Sequence, residues 1–215
     1  MPQPLAAVVL PVVDFPIDDS RLPAIVPDLG GGQILSVPRT GQGPSGWCYQ
    51  NVKERCQRIG GRAEQGWMVR WLPEIFIEAM HHSVWRMPNG ALLDVTAPQP
   101  GAAPARGQTT FMIEEFAVSF LREPYLTNMH WLLVDDPVLE EGFEIYRTNH
   151  GALRELSGLR LKDVEMLKHI GHPLPETEVS SYIEARTATL SATANETYRL
   201  LQEHHARLVT KYGLN

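Results

Sequence analysis

The sequence lacks several features that would each define a class of protein. It has no apolar run near the roughly 18–20 residues that span a bilayer. It has no excess of basic residues, since its formal net charge is −6, whereas a general nucleic-acid-binding protein normally presents a basic face. It contains no phosphate-binding loop, dinucleotide fingerprint or internal repeat. We therefore predict no membrane partner, no nucleic-acid partner and no cofactor.

What is present is the composition of an ordinary globular protein, with 43% hydrophobic and 20% charged residues. A length of 215 residues suffices for one substantial core, alone or with a small appendage. The first residues include an apolar stretch, but no Lys or Arg leads it and prolines interrupt it. This pattern predicts mature protein rather than a signal peptide, and we expect a cytoplasmic location.

Cysteine is scarce, and both cysteines fall within one short stretch of the chain, residues 41–61. Apolar or aromatic side chains recur there at helical spacing and predict a helix over 47–59, which Gly60 and Gly61 end. Cys48 and Cys56 cannot pair on one helix, because eight residues rise about 12 Å and a disulfide needs Cα atoms within roughly 7 Å. Two free thiols fit a reducing compartment.

The chain divides into three predicted parts. Residues 1–41 are rich in Pro and Gly and predict an extended arm or edge strands; 42–150 predict the α+β core; 151–215 predict a helical region packed on that core. Residues 177–211 predict one long helix with a thin apolar stripe, which favours packing on the domain or on a second copy of the chain. A homo-oligomer through this helix is therefore one expectation.

Within the predicted core, strands are expected at 66–71 and 75–86, with "ALLDVTA" returning after a turn at Asn89-Gly90 and "TTFMIEE" as another strand. Residues 98–108 predict a loop or linker.

Cys48 is the candidate nucleophile. It opens the predicted helix, where the dipole and free N–H groups stabilise a thiolate, and Gly43 and Gly46 before it allow close approach of a substrate. Cys56 lies two turns further along and has no such help. A thiol nucleophile also needs a histidine base held by a carboxylate or amide.

The predicted hairpin supplies that pair. If its loop is the three residues 88–90, position 84 pairs with 94, and His82 becomes a diagonal neighbour of Asp94 on one face of the sheet. With a two- or four-residue loop, the residues of the first strand that share a face with Asp94 change by one position, and His81 faces Asp94 instead.

The order of "SGWC", a helix ending in "GG", a strand beginning "GW", then "HHSVW" and "LLDVTAP" resembles the core of transglutaminase-like proteins within the papain-like group, over residues 42–97. The resemblance implies an α+β fold in which the helix bearing the cysteine packs on an antiparallel sheet. It implies a Cys48-His82-Asp94 triad and favours His82 over His81. The segment "QGPSGWCY" also resembles the papain-type pattern, which implies that Gln42 joins the Cys48 N–H in an oxyanion hole.

The implied activity is acyl transfer through a thioester on a protein or peptide substrate, by a peptidase, amidase, deamidase or transglutaminase. The alternatives are a catalytically inactive papain-like domain that serves as a binding or scaffold module, a metalloprotein that uses His81, His82, Glu78 and a distant residue, and a redox-sensing thiol. The spacing of His169 and His172 is a further, weaker indication of a zinc site.

Overall fold

A computed structural model describes residues 10–98, 107–114, 126–170 and 176–214. The first nine residues and most of the predicted linker, 99–106, lie outside the described residues. The fold is α+β, as predicted. Two compact units divide the chain: one contains the strands and the first two helices, the other contains the last two helices.

The described strands and helices have the following bounds. The strands are β1 (Val13–Asp14), β2 (Ile34–Gly43), β3 (Arg62–Leu72), β4 (Phe76–Arg86), β5 (Leu92–Thr96), β6 (Gln108–Ile113) and β7 (Met129–Leu132). The helices are α1 (Leu22–Ile25), α2 (Cys48–Ile59), α3 (Pro137–Ile170) and α4 (Glu176–Tyr212), and a short 3-10 turn covers Pro27–Leu29.

Five of the strands pair around a closed ring. The sheet runs in the order β1-β3-β6-β2-β5-β4-β7, and the additional pairing of β3 with β4 joins its two sides. A ring with an odd number of strands cannot alternate in direction throughout, so at least one pair must be parallel. That pair is β2 with β5, where Arg39 lies opposite Asp94.

The ring corrects one expectation. The predicted antiparallel sheet is in fact mixed, because the β2–β5 pair is parallel. Within the stretch 1–41, which was expected to form an arm or edge strands, Ile34–Pro38 of β2 pair with β6, and the pairing with β5 begins at Arg39. Pro38 is tolerated because it lies at the end of the β6 pairing, opposite Gln108.

The register of the β4–β5 hairpin agrees with the three-residue loop. Trp85 lies opposite Leu93, and the Met87 N–H donates to the Ala91 carbonyl over 2.9 Å, which leaves 88–90 as the loop. Gly90 takes the left-handed conformation, φ 87°, that this turn requires.

Helix α2 packs on one face of this hairpin. Val52 is fully buried against Trp85 and Val95, and the Trp85 indole N–H donates to the Gly60 carbonyl, 2.9 Å away, at the end of the helix. Burying a valine of this kind contributes about 1.5–3 kcal/mol. The opposite face of the same strands forms a second cluster in which Val84 packs with Val37 and Phe111. The hairpin therefore presents alternate residues to two different environments.

The other unit is a pair of long helices, α3 and α4. The Asn149 amide donates to the Ala194 carbonyl at 2.7 Å and to the Thr197 hydroxyl at 2.9 Å. Gly142 has no Cβ, and the His204 ring occupies the space that a Cβ would fill. The helical part begins at Pro137, earlier than the expected residue 151, whereas α4 matches the long helix expected over 177–211. Its packing on the core or on a second chain stays a prediction.

In the part of the chain that the structure describes, no helix is both long enough and apolar enough to cross a membrane.

Candidate functional site

Cys48 is the first residue of α2, and its side chain is buried, with 9% of its surface exposed. The preceding residue, Trp47, makes no side-chain capping hydrogen bond. The first N–H groups of a helix have no intrahelical partner, and the positive end of the helix dipole lies there. Both effects favour the binding of an anion at this end of a helix.

His82 and Asp94 meet on the face of the hairpin that the three-residue loop predicts. His82 Nε2 lies 3.0 Å from Asp94 Oδ2, and both side chains are almost completely buried. Cys48 acts on the same ring, because its side chain contributes to the raised pKa of His82. Asp94 engages Nε2 of that ring and leaves Nδ1 unoccupied by Asp94. The structure thus brings three of the four predicted site residues together.

The surroundings of His82 favour its charged form. Burial lowers the pKa of His82, but the charge of Asp94 and the hydrogen bonds to Asp94 and Cys48 raise it to about 10 overall. Burial would raise the pKa of the Asp94 carboxyl, yet the charge and hydrogen bond of His82 and the hydroxyl of Thr109 hold it well below its usual range. At neutral pH the pair is therefore an imidazolium and a carboxylate.

Asp94 has further partners that the sequence did not indicate. Its Oδ2 accepts hydrogen bonds from the Thr109 hydroxyl at 2.6 Å and from Arg39 Nε at 3.2 Å, and its Oδ1 accepts from the Thr96 N–H at 3.0 Å. Thr109 lies on β6 and Arg39 on β2. No local pattern marks them, because β2 pairs with β5, and β6 with β2, across long stretches of the chain.

Gln42, the predicted oxyanion donor, is exposed, and its Oε1 accepts a hydrogen bond from the Arg55 guanidinium. Arg55 lies about two helical turns beyond Cys48. The structure therefore does not assemble Gln42 with the other three residues.

The glycines before Cys48 also differ from expectation. The space that a Cβ at Gly43 would fill is occupied by the side-chain amide of Asn51, whereas Gly46 faces open space. The Asn51 amide donates to the Pro44 carbonyl at 2.9 Å and to the Thr96 hydroxyl at 3.0 Å, so it ties α2 to the loop before it and to β5. Gly43 makes room for an internal contact rather than for a substrate.

His81 points to the other face of β4 and belongs to a different cluster. Its Nδ1 shares a hydrogen bond with the Tyr49 hydroxyl, its Nε2 lies 3.1 Å from Glu114 Oε2, and the Trp67 ring packs edge-on at 5.2 Å. Burial lowers the pKa of His81, although Glu114 acts against this shift. Of the two adjacent histidines, His82 is the one that Asp94 holds.

The residues suggested for a metal site do not come together. Glu78 accepts hydrogen bonds from Arg70 and from the Asn128 amide rather than lying beside the two adjacent histidines. Within the described ranges, no group of three or more His, Cys, Asp or Glu side chains could hold a metal ion. His172 lies outside the described residues, so the zinc spacing with His169 stays a prediction.

No protein-family model, curated protein or solved structure matches this chain. The resemblance to transglutaminase-like proteins stays a prediction, and a function has to be argued from the geometry of these side chains.

Proposed function

We propose that the chain is a papain-like, transglutaminase-like cysteine enzyme that hydrolyses an amide in a protein or peptide, or transfers its acyl group. The observation that supports this most is the position of His82, which Asp94 holds at 3.0 Å and whose pKa the Cys48 side chain helps to raise. A thiol, an imidazole and a buried carboxylate in this order are the groups that nucleophilic acyl transfer needs.

In the acylation half of the proposed reaction, the Cys48 thiolate attacks the amide carbonyl carbon and forms the C–S bond. The negative charge that develops on the carbonyl oxygen is stabilised by the Cys48 N–H at the start of α2. Gln42 supplies a second donor only if its side chain leaves Arg55. The His82 imidazolium then gives its proton to the leaving nitrogen, the C–N bond breaks and a thioester remains.

In the deacylation half, neutral His82 takes a proton from the second nucleophile as that nucleophile attacks the thioester. Water gives a carboxylic acid and therefore hydrolysis; an amine gives a new amide and therefore transfer. The C–S bond breaks, and the thiolate and the imidazolium return together. Asp94 holds the ring orientation throughout and stabilises its positive charge.

The first test compares the alkylation of the two thiols by iodoacetamide, measured by peptide mass spectrometry from pH 5 to 9. Cys56 is a control within the same molecule, and burial raises the pKa of its thiol. At pH 6 we expect Cys48 to react at least tenfold faster than Cys56, because an adjacent imidazolium stabilises the thiolate. The advantage should be lost in His82→Gln and reduced in Asp94→Asn.

The proposed role of Cys48 would be contradicted if Cys48 reacts no faster than Cys56, or if neither substitution changes its alkylation rate. The chain would then be an inactive domain that binds a partner. If the alkylation pattern is as expected, thioester-forming peptide probes with and without an added amine distinguish transfer from hydrolysis. A wild-type protein that no acyl probe labels, despite an activated thiol, would point instead to redox sensing.

A further inference from the structure

A buried arginine lies directly behind the His82–Asp94 pair. The Arg39 side chain is only 8% exposed. Its Nε lies 3.2 Å from Asp94 Oδ2, and its Nη2 lies 3.1 Å from Asp14 Oδ1 on β1, so the guanidinium bridges two carboxylates. Both acids are also shielded, with 11% of the Asp14 side chain and 1% of the Asp94 side chain exposed.

This arrangement raises an electrostatic problem for the site. Asp94 Oδ2 accepts from two cations at once, Arg39 at 3.2 Å and the His82 imidazolium at 3.0 Å. Like charges disfavour each other most strongly where water is excluded. If no anion balanced the positive charge of Arg39, that charge would offset part of the negative charge of Asp94. Asp94 would then stabilise the His82 imidazolium less, and loss of its proton would be favoured.

Asp14 carries the negative charge that balances the charge of Arg39. We propose that Asp14 is a positioning residue of the site: by neutralising Arg39, it leaves the charge of Asp94 available to keep His82 protonated. This inference depends on the proposed function only for the use that the reaction makes of the His82 proton. The charges then alternate in sign from one contact to the next: Asp14, Arg39, Asp94 and His82.

The other groups around the site do not replace Asp14. On its own strand, His82 has His81 as a neighbour, and burial lowers the pKa of that imidazole. From β6 only the neutral hydroxyl of Thr109 reaches Asp94. From β3 the charge of Arg70 acts on Asp14, where burial raises the carboxyl pKa and Arg39 and Arg70 oppose that effect. Among these groups, Asp14 is the carboxylate that accepts from Arg39 Nη2, while Arg39 Nε donates to Asp94.

The test follows the His82 ring itself, by NMR titration of the full-length protein with isotope-labelled histidine, using His82→Gln to assign the signal. In Asp14→Asn the midpoint of His82 should fall by roughly one pH unit, because Arg39 is then uncompensated. In the double variant Asp14→Asn/Arg39→Met, which removes both charges, the midpoint should return to within about 0.3 of the wild-type value. Asp19→Asn is the matched control, since Asp19 pairs with Arg21 instead.

The two variants separate an electrostatic role from a structural one. An unchanged midpoint in Asp14→Asn overturns the proposal. A fall in both the single and the double variant also overturns it, because mere loss of packing would not be repaired by removing a second side chain. If Asp14→Asn is too unstable to titrate, Arg39→Met alone decides: its midpoint should rise, and a fall would contradict the proposal.

This readout is independent of the acyl-transfer test. The ring of His82 reports its proton whether or not Cys48 forms a thioester. If the His82 midpoint falls as expected in Asp14→Asn but no acyl probe labels the protein, the role of Asp14 is supported and the proposed function is contradicted. The opposite result would keep the function and assign Asp14 to the fold alone.

Discussion

At the scale of single residues, the site depends on a histidine that is held in its charged form inside the protein. Burial alone would favour neutral His82, and the surrounding acceptors reverse that preference, which raises its pKa to about 10. Since the same ring in an unfolded chain titrates near 6.5, folding and protonation are coupled at this residue.

This coupling predicts how stability depends on pH. A group whose pKa is raised on folding contributes its full stabilisation below the unfolded value, and the contribution is lost as pH rises toward the folded value. The free energy of unfolding should therefore fall from pH 7 to 8.5 by up to about 1.4 kcal/mol per pH unit. The pKa values of His81, His150 and His204 are lowered, so the titration of these residues changes the free energy of unfolding below the pH range 7–8.5.

Urea unfolding at pH 7, 7.5, 8 and 8.5 measures this slope. His82→Gln removes the titrating ring and should give a nearly flat profile over the same range, whatever its absolute stability. A wild-type profile as flat as that of the variant would show that His82 is not held as an imidazolium.

At the scale of single elements, the hairpin was predictable and β2 was not. Asn89-Gly90 between two strand patterns predicted the turn but left its length open, and the three-residue loop of the structure places His82 and Asp94 on one face. The stretch that forms β2 contains Pro38 and five glycines or polar residues after it, and its partners β5 and β6 lie far along the chain. Its pairing is decided by ring closure, which leaves no local pattern.

Helix α2 gives the prediction at this scale. Asn51 ties the first turns of the helix to Pro44 and Thr96, and its amide is buried. Asn51→Ala leaves these acceptors without a donor, and should lower the free energy of unfolding by about 1–3 kcal/mol. It should also reduce the alkylation advantage of Cys48 over Cys56, because the nucleophile is held less firmly against His82.

The control for this variant is the adjacent residue, Gln50, which is exposed. Gln50→Ala should change neither quantity by more than about 0.5 kcal/mol or twofold. If Asn51→Ala lowers stability but leaves the alkylation ratio unchanged, Asn51 stabilises the helix without positioning the thiol.

At the scale of the whole molecule, the site belongs to one of the two compact units. Residues from β1, β2, β4, β5, β6 and α2 all contribute to it, and these elements precede Asp135. The stretch that resembles transglutaminase-like proteins, 42–97, lacks Asp14, most of β2 and all of β6. The resemblance therefore covers the chemical groups but not the strands that complete their surroundings.

A truncation after Asp135 tests this division. We expect it to fold and to keep the faster alkylation of Cys48 relative to Cys56, because the ring and α2 are retained. The isolated segment 42–97 should remain unfolded, since it cannot close the ring. Circular dichroism and the alkylation ratio measure both outcomes, and a segment 42–97 that folds would contradict the importance assigned to β2 and β6.

The order of the strands along the chain determines when the surroundings of the site are completed during translation. Synthesis runs from the N-terminus at about 5–20 residues per second. Cys48 emerges with α2, yet β6, which pairs with both β2 and β3, is made only after the hairpin and the segment that follows it. Until then the nascent chain carries Cys48 without the Thr109 hydroxyl that helps hold Asp94. Cys48 is thus translated well before the surroundings of His82 and Asp94 are complete, and under the proposed function a growing chain would not yet be acylated.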